Sequence, residues 1–243
     1  MKPKELFLSF IVPVFNEENR LETAFPSLVE YLGTNFIKWE VLYVDDGSTD
    51  STYQKLLRLQ ATYPSLRVLH YEKNRGKGYA VRKGLEAAHG EVLVFSDADF
   101  STPIEEMTNL LDCLLSGCDV VIGSRGLANS HVEIHQPWLR EAMGKAGNLV
   151  VRTLLPLDLM DTQCGFKMFR REAVEAILPG LRIDGFAFDI EMLTIAQLRG
   201  MRVAEIPVTW RNVLESKVRF SHSLQVLRDV FTVRFRMAMG EYS

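Results

Sequence analysis

Two aspartates separated by one residue, Asp97 and Asp99, close the apolar run Val92 to Ser96. If the pair ends an extended strand, both carboxylates share a face and could hold one hard cation through oxygen ligands, and that cation would bridge a diphosphate. The same residues could instead cap the helix that follows. Asp45-Asp46-Gly47-Ser48-Thr49-Asp50 poses the same choice, because Asp-Gly-Ser is also an ordinary turn and helix start. Asn74-Arg75-Gly76-Lys77-Gly78, taken alone, is a glycine turn with a solvated charge pair. Pro13-Val14-Phe15-Asn16-Glu17 adds a further polar turn. Joint placement favours chemistry over capping: each carboxylate-rich turn follows a strand-like run, and ligands of parallel α/β sheets bind beyond the carboxyl ends of strands.

The elements that must position these turns are legible as alternation. Short apolar, β-branched runs predict strands over Leu6 to Pro13, Trp39 to Asp45, Leu66 to Tyr71, Val92 to Asp97 and Asp119 to Ser124. Longer segments of helical period separate them. Leu21, Phe25, Leu28 and Leu32 recur every three or four positions, so that segment is a helix with one buried face. Gly76 to Ala88 is helical by pattern, and Thr102-Pro103-Ile104-Glu105 carries a capping residue, a proline at the first helical position and a glutamate placed to reach back. Further on, the pattern predicts helices over Trp138 to Thr153 and Asp189 to Arg199, and strands over Phe166 to Phe169 and Arg202 to Pro207. The fold class is α/β: one domain with a mostly parallel central sheet flanked by helices.

The last stretch, Ser223 to Met239, puts Leu224, Leu227, Phe231 and Phe235 on one helical stripe, with Arg228, Arg234 and Arg236 around it. From Arg202 to Arg236 there are seven Arg or Lys residues against Glu205, Glu215 and Asp229, so this end is locally positive. The helix either packs on the sheet with its arginines in solvent or lies in a membrane interface with arginines on anionic headgroups. We take residues 223–243 as this element, with the membrane-interface reading preferred, and 1–222 as the main domain.

Composition bounds the rest. The 243 residues are 47% hydrophobic and 24% charged, with net charge -3, which excludes a global basic field for gripping nucleic acid. Cys113, Cys118 and Cys164 form no CxxC and no zinc spacing, so they read as core residues of a protein in a reducing cytoplasm. His131, His135 and His222 lack partners at zinc spacing. No segment approaches the roughly 20 apolar residues of a membrane span. No GxGxxG follows the first strand, and a P-loop is missing, which argues against dinucleotide oxidoreductases and P-loop enzymes.

In order along the chain, IVPVFNEE, VDDGSTDST, NRGKGYAVRKGL, SDADFSTP, VIGSR, DTQCGFKMF and FAFDIEM resemble the family 2 glycosyltransferases of the GT-A (Rossmann-like) fold, from about Leu8 to Met237. Within that family the chain most resembles the dolichyl-phosphate and polyprenyl-phosphate sugar synthases; DTQCGFKMF and LRDVFTVRFRM look most like the dolichyl-phosphate glucosyltransferases. The resemblance implies that Pro13, Asn16, Glu17, Asp45 and Asp46 surround the nucleotide, with Lys77 and Ala98 near the donor. It implies that Asp97 and Asp99 hold Mg or Mn against the diphosphate; Ser101 stands where some relatives offer a glutamine as a further ligand. Arg125 should meet a phosphate, with Lys217 and Arg219 of the basic Ser216-Lys217-Val218-Arg219 loop. Asp189 and Glu191 stand where relatives acting on sugar hydroxyls keep a base, and here read as positioning residues or as helix caps. Gln163-Cys164-Gly165-Phe166 would floor the acceptor cleft.

The expected activity is inverting transfer of a hexose, glucose from UDP-glucose, onto a polyprenyl phosphate at the cytoplasmic face of a membrane. GDP-mannose as donor, a saccharide hydroxyl as acceptor and an idle nucleotide-binding module are the alternatives. A homo-oligomer or a membrane-anchoring partner stays open.

Overall fold

A strand whose residues are apolar without alternation must be covered on both faces, and the run from Leu8 to Val14 meets that condition: Leu8, Phe10, Ile11 and Val12 are fully buried. The computed structural model describes residues 4–133, 138–211 and 220–242. Along the chain these form β1 (Lys4–Val14), α1 (Leu21–Asn35), β2 (Phe36–Asp45), α2 (Thr52–Thr62), β3 (Leu66–His70), α3 (Lys77–Ala87), β4 (Val92–Ser96), α4 (Met107–Leu115), β5 (Val120–Ser124) and β6 (His131–Val132). There follow α5 (Trp138–Leu154), β7 (Phe166–Arg170), α6 (Arg171–Ile177), α7 (Phe188–Leu198), β8 (Val203–Pro207), β9 (Thr209–Trp210) and α8 (Phe220–Ala238).

Seven strands make one sheet in the order β3-β2-β1-β4-β7-β5-β8, while β6 and β9 pair separately. β1 lies parallel to both β2 and β4, so the chain leaves β1 in one direction for β2 and β3 and returns on its other side with β4. That reversal opens a crevice at the carboxyl ends of β1 and β4. β7 alone runs antiparallel, between β4 and β5. Successive β1 residues feed opposite faces: Ile11 joins one apolar cluster with Val44, Val81 and Leu85, and Phe10 and Val12 join the other with Phe25, Leu28 and Leu32.

The expected class, a mostly parallel sheet flanked by helices, is the class observed. The start of the helix after β4 differs from the expected one. Thr102 does not cap a helix: Pro103 is extended (ψ 143°), so the chain first turns as a 3-10 helix, Ile104–Glu106, and becomes α-helical only at Met107. Glu106, rather than Glu105, finds a backbone donor, the Thr209 N–H at 2.9 Å. The sequence pattern also passed over α2, in which only Thr52 and Leu56 are buried.

Candidate active site

β4 ends at Ser96, so Asp97 and Asp99 do not share a strand face as expected but stand on the turn that follows. Phe100, with φ 47°, closes that turn, and its N–H donates to the Asp97 carbonyl at 3.2 Å. Three elements converge on Asp97. Its N–H donates to the Gly165 carbonyl at 2.9 Å, and Lys77, the first residue of α3, puts Nζ 2.6 Å from its Oδ1. Gly165 lies so close that a Cβ there would fall 2.0 Å from Asp97 Oδ2. The Asp97 side chain keeps 36% of its exposure. Asp99 accepts one hydrogen bond, from the Ser101 N–H at 3.0 Å on Oδ1, which leaves its other oxygen for a ligand. Ser101 itself is buried, with its carbonyl taken by the Arg211 N–H.

The pair therefore fits a hard divalent cation: two partly exposed carboxylates at the sheet crevice, one already holding a positive group. No cluster of three or more metal-ligating side chains occurs among the described residues, so the rest of an ion's shell would come from phosphate oxygens and water. Because alanine at Gly165 must push Asp97 aside, we expect Gly165→Ala to lower kcat/KM by about a hundredfold at nearly unchanged melting temperature. Activity within a factor of three of the parent would separate this turn from the chemistry.

The turns after β1 and β2 are stapled to each other. Asn16, at φ 56°, donates its N–H to Ser48 Oγ and accepts the Thr49 N–H on Oδ1, both at 2.8 Å. Glu17 donates its N–H to Thr52 Oγ1 at 2.8 Å, and Pro13 is buried within β1 opposite Val44. Asp45 is fully buried. It accepts the Ser48 N–H and hydroxyl on one oxygen and pairs its other with His70 Nδ1 at 2.8 Å, while His70 stacks on Tyr53. Asp46 accepts the N–H groups of Arg75 and Gly76 at 2.8 and 2.9 Å. Burial raises the Asp46 carboxyl pKa against the pull of those two amides. Gly76 is needed there: its φ is 108°, and a Cβ would sit 2.4 Å from the Asp184 carbonyl oxygen. Both acids thus organise the loops that carry Asn16 and Lys77.

Arg125, just past the end of β5, forms a two-point pair with Asp161 (Nε–Oδ2 2.6 Å, Nη2–Oδ1 2.8 Å) and lies 5.5 Å from the Trp210 ring centre. Glu205 accepts the Met160 and Asp161 N–H groups and so fixes the partner. Burial disfavours both charges, yet each partner's field outweighs it: the Asp161 carboxyl is held below its ordinary pKa and the Arg125 guanidinium above its own. The arginine keeps a third of its side-chain exposure.

Asp189 and Glu191, in the first turn of α7, are buried rather than displayed at the rim. Asp189 pairs with Lys167 Nζ at 2.7 Å, and that lysine, fully buried in β7, also donates to the Cys164 carbonyl. Burial raises the Asp189 pKa, opposed by Lys167 and Lys77. Glu191 accepts the N–H groups of Arg182 and Ile183 and the Tyr242 hydroxyl, so it ties α7 to a neighbouring loop and to the segment after α8. Gln163 donates to the Phe186 carbonyl at 3.3 Å, and Ala98 is half-buried beside the aspartates. Lys217, Arg219 and His135 lie outside the described residues. Sequence reasoning missed Asp161 and Lys167. The signal was present, since DTQCGFKMF contains both, and a lysine inside an apolar strand needs a buried counter-charge.

A parallel sheet reversing at β1/β4, with a carboxylate pair at the reversal and a lysine on it, is the setting of a site for a nucleotide diphosphate and its cation. The chain belongs to glycosyl transferase family 2, whose profile matches residues 9–178. It is 34% identical to the dolichyl-phosphate beta-glucosyltransferase of Dictyostelium discoideum, across 97% of this chain and 76% of that one. The Homo sapiens protein of that description is 33% identical, across 97% and 77%. In fold the chain is similar to glucosyl-3-phosphoglycerate synthase from Mycobacterium tuberculosis, solved in complex with Mn2+, UDP-glucose and phosphoglyceric acid, with a TM-score of 0.68 at 20% identity over 94% of this chain and 80% of that one.

Proposed function

We propose that this glycosyltransferase moves glucose from UDP-glucose to a dolichyl-type polyprenyl phosphate, with inversion, giving a lipid-linked β-glucosyl phosphate. The observation that carries the reading is the convergence of Lys77, Asp97, Asp99 and Gly165 at the sheet crevice, in a chain whose relatives are described as dolichyl-phosphate beta-glucosyltransferases. Asp97 and Asp99 would hold Mg2+ or Mn2+, which supplies charge neutralisation of the departing nucleotide diphosphate. Lys77, at the N-terminus of α3, adds an ammonium and a helix dipole that favour the same anion. Asn16 and Glu17 border the crevice from β1. The acceptor phosphate has a second pKa of about 6, so near neutral pH it attacks as a ready oxyanion without a strong general base. A reaction that asks for no strong base is compatible with the burial of Asp189 and Glu191. Arg125, oriented by Asp161, would meet the attacking phosphate together with Lys217 and Arg219.

The acceptor's tail stays in a bilayer, and no helix among the described residues is long and apolar enough to cross a membrane. α8 offers another attachment. Leu224, Leu227, Phe231, Phe235 and Met239 are 40 to 65% exposed along one stripe, flanked by exposed Arg228 and Arg234. This supports an interfacial helix on the cytoplasmic leaflet. Replacing Phe231 and Phe235 together by Glu is expected to weaken binding to vesicles containing anionic lipid by about a hundredfold or more, since each buried aromatic contributes roughly 1.5–3 kcal/mol. Unchanged co-sedimentation would place the membrane contact elsewhere.

The function is tested with UDP-glucose, GDP-mannose and other nucleotide sugars, each incubated with a short polyprenyl phosphate with and without EDTA. UDP-glucose consumption that requires lipid phosphate and stops with EDTA supports the reading. Release of nucleotide only with a saccharide acceptor would overturn it.

A further inference from the structure

Lys77 occupies a poor position for a cation. It opens α3, where the helix dipole presents positive charge, and only the faces of Phe95 and Phe188, whose ring centres lie 5.4 and 5.9 Å from Nζ, offset that within its own surroundings. What holds it there is Asp97: Oδ1 of that carboxylate is buried and meets the ammonium at 2.6 Å. An ammonium at that distance occupies one of the two carboxylate oxygens open to a divalent ion and repels an ion on the other. The lysine also lies within the fields of Asp189 and Asp99, so leaving Asp97 does not strand its charge.

We infer that Lys77 is the resident counter-ion of Asp97 and exchanges with the divalent cation: the ion arriving with the donor takes the carboxylate, and the displaced ammonium turns to the diphosphate. The inference rests on the divalent-cation reading above and deepens it. The exchange leaves no charge unpaired: the dication takes the place of the ammonium on Asp97, and the diphosphate that arrives with it supplies the anion that both the dication and the released ammonium meet. It makes metal binding weak without donor and strong with it, so the site fills when both are present. Arg75 provides the contrast. It is two residues away and equally cationic, but it faces Asp184 at 3.8 Å and the Tyr79 ring rather than Asp97.

The test is Mn2+ binding to the full chain without nucleotide, followed by EPR, on the parent and on Lys77→Met, Lys77→Arg, Arg75→Gln and Asp97→Asn, each checked for an unchanged melting profile. Removing the competing ammonium should tighten Mn2+ binding by about tenfold, the scale of one pKa unit for a close opposite charge. Lys77→Arg, which keeps the charge, should stay within about twofold of the parent, and so should Arg75→Gln. With UDP added the order reverses: Lys77→Met should bind the Mn2+–UDP pair more weakly than the parent, because the diphosphate has lost its ammonium. If Lys77→Met leaves Mn2+ affinity unchanged or lowers it, or if Arg75→Gln gains as much, the exchange is wrong while the metal site stands. If Asp97→Asn binds Mn2+ as well as the parent, the metal reading and the exchange both fall.

Discussion

Alanine at Asp99 is expected to lower kcat/KM by about a thousandfold, or ~4 kcal/mol of transition-state stabilisation, while the protein stays folded. The two aspartates of the turn differ in what else depends on them. Asp97 carries the Lys77 ion pair and packs under Gly165, so its removal disturbs two other segments. Asp99 makes one local hydrogen bond, to the Ser101 N–H, whose loss costs about 1 kcal/mol at a partly exposed position. An activity loss far larger than the stability loss therefore reports on a ligand of the cation and not on the turn. The measurement is steady-state kinetics at saturating Mn2+ beside a thermal melt. A variant retaining a tenth or more of parental kcat/KM would show that the departing diphosphate is neutralised by other groups.

Such a turn was readable from the sequence because its neighbours are. Strands covered on both faces must be continuous apolar runs, and β1, β2, β4 and β5 announce themselves that way. Their order then puts the polar residues that follow them on one rim. The direction of β7 could not be read, because Phe-Lys-Met-Phe looks the same in either sense; its register, Val92 opposite Arg170 and Ser96 opposite Phe166, is set by pairing with β4. Side-chain roles were legible only where both partners were local. Asp45 ends its strand as a ligand-facing residue would, yet one of its oxygens is taken by His70, 25 positions away. Arg125 reads as a lone phosphate-binding arginine until Asp161, 36 positions on, is folded against it. Helical spacing marks a stripe as apolar and cannot say what covers it, so the sequence left α8 open between sheet and membrane. In the structure most of that stripe is exposed.

Replacing Lys167 by Met is expected to be the most destabilising of these substitutions, by about 3–5 kcal/mol, the usual cost of leaving one partner of a buried ion pair alone. The side chains of Lys167 and Asp189 keep 0% and 3% of their exposure, so neither charge can recover solvation by a small movement. Methionine preserves volume, and the deficit is therefore electrostatic. Its pH dependence follows from the sign of the shift at Asp189, whose carboxyl already titrates above its ordinary value because burial penalises the anion. Without Lys167 the main opposing field is gone, and the folded-state pKa moves further above the unfolded one. Protons then bind the native state more readily than the unfolded chain, so the variant is least impaired at acidic pH and loses stability as pH rises through the raised pKa. Denaturant unfolding of parent and variant across that range should show a gap that widens with pH. A constant gap would mean that the loss comes from packing or from the Cys164 carbonyl, and that Asp189 keeps its charge by other means. Asn at Asp189 in the same background discriminates further: it removes the stranded anion and should recover most of the lost stability. It should not restore activity, since the Cys164–Gly165 turn that bears on Asp97 still lacks the lysine that ties down its carbonyl.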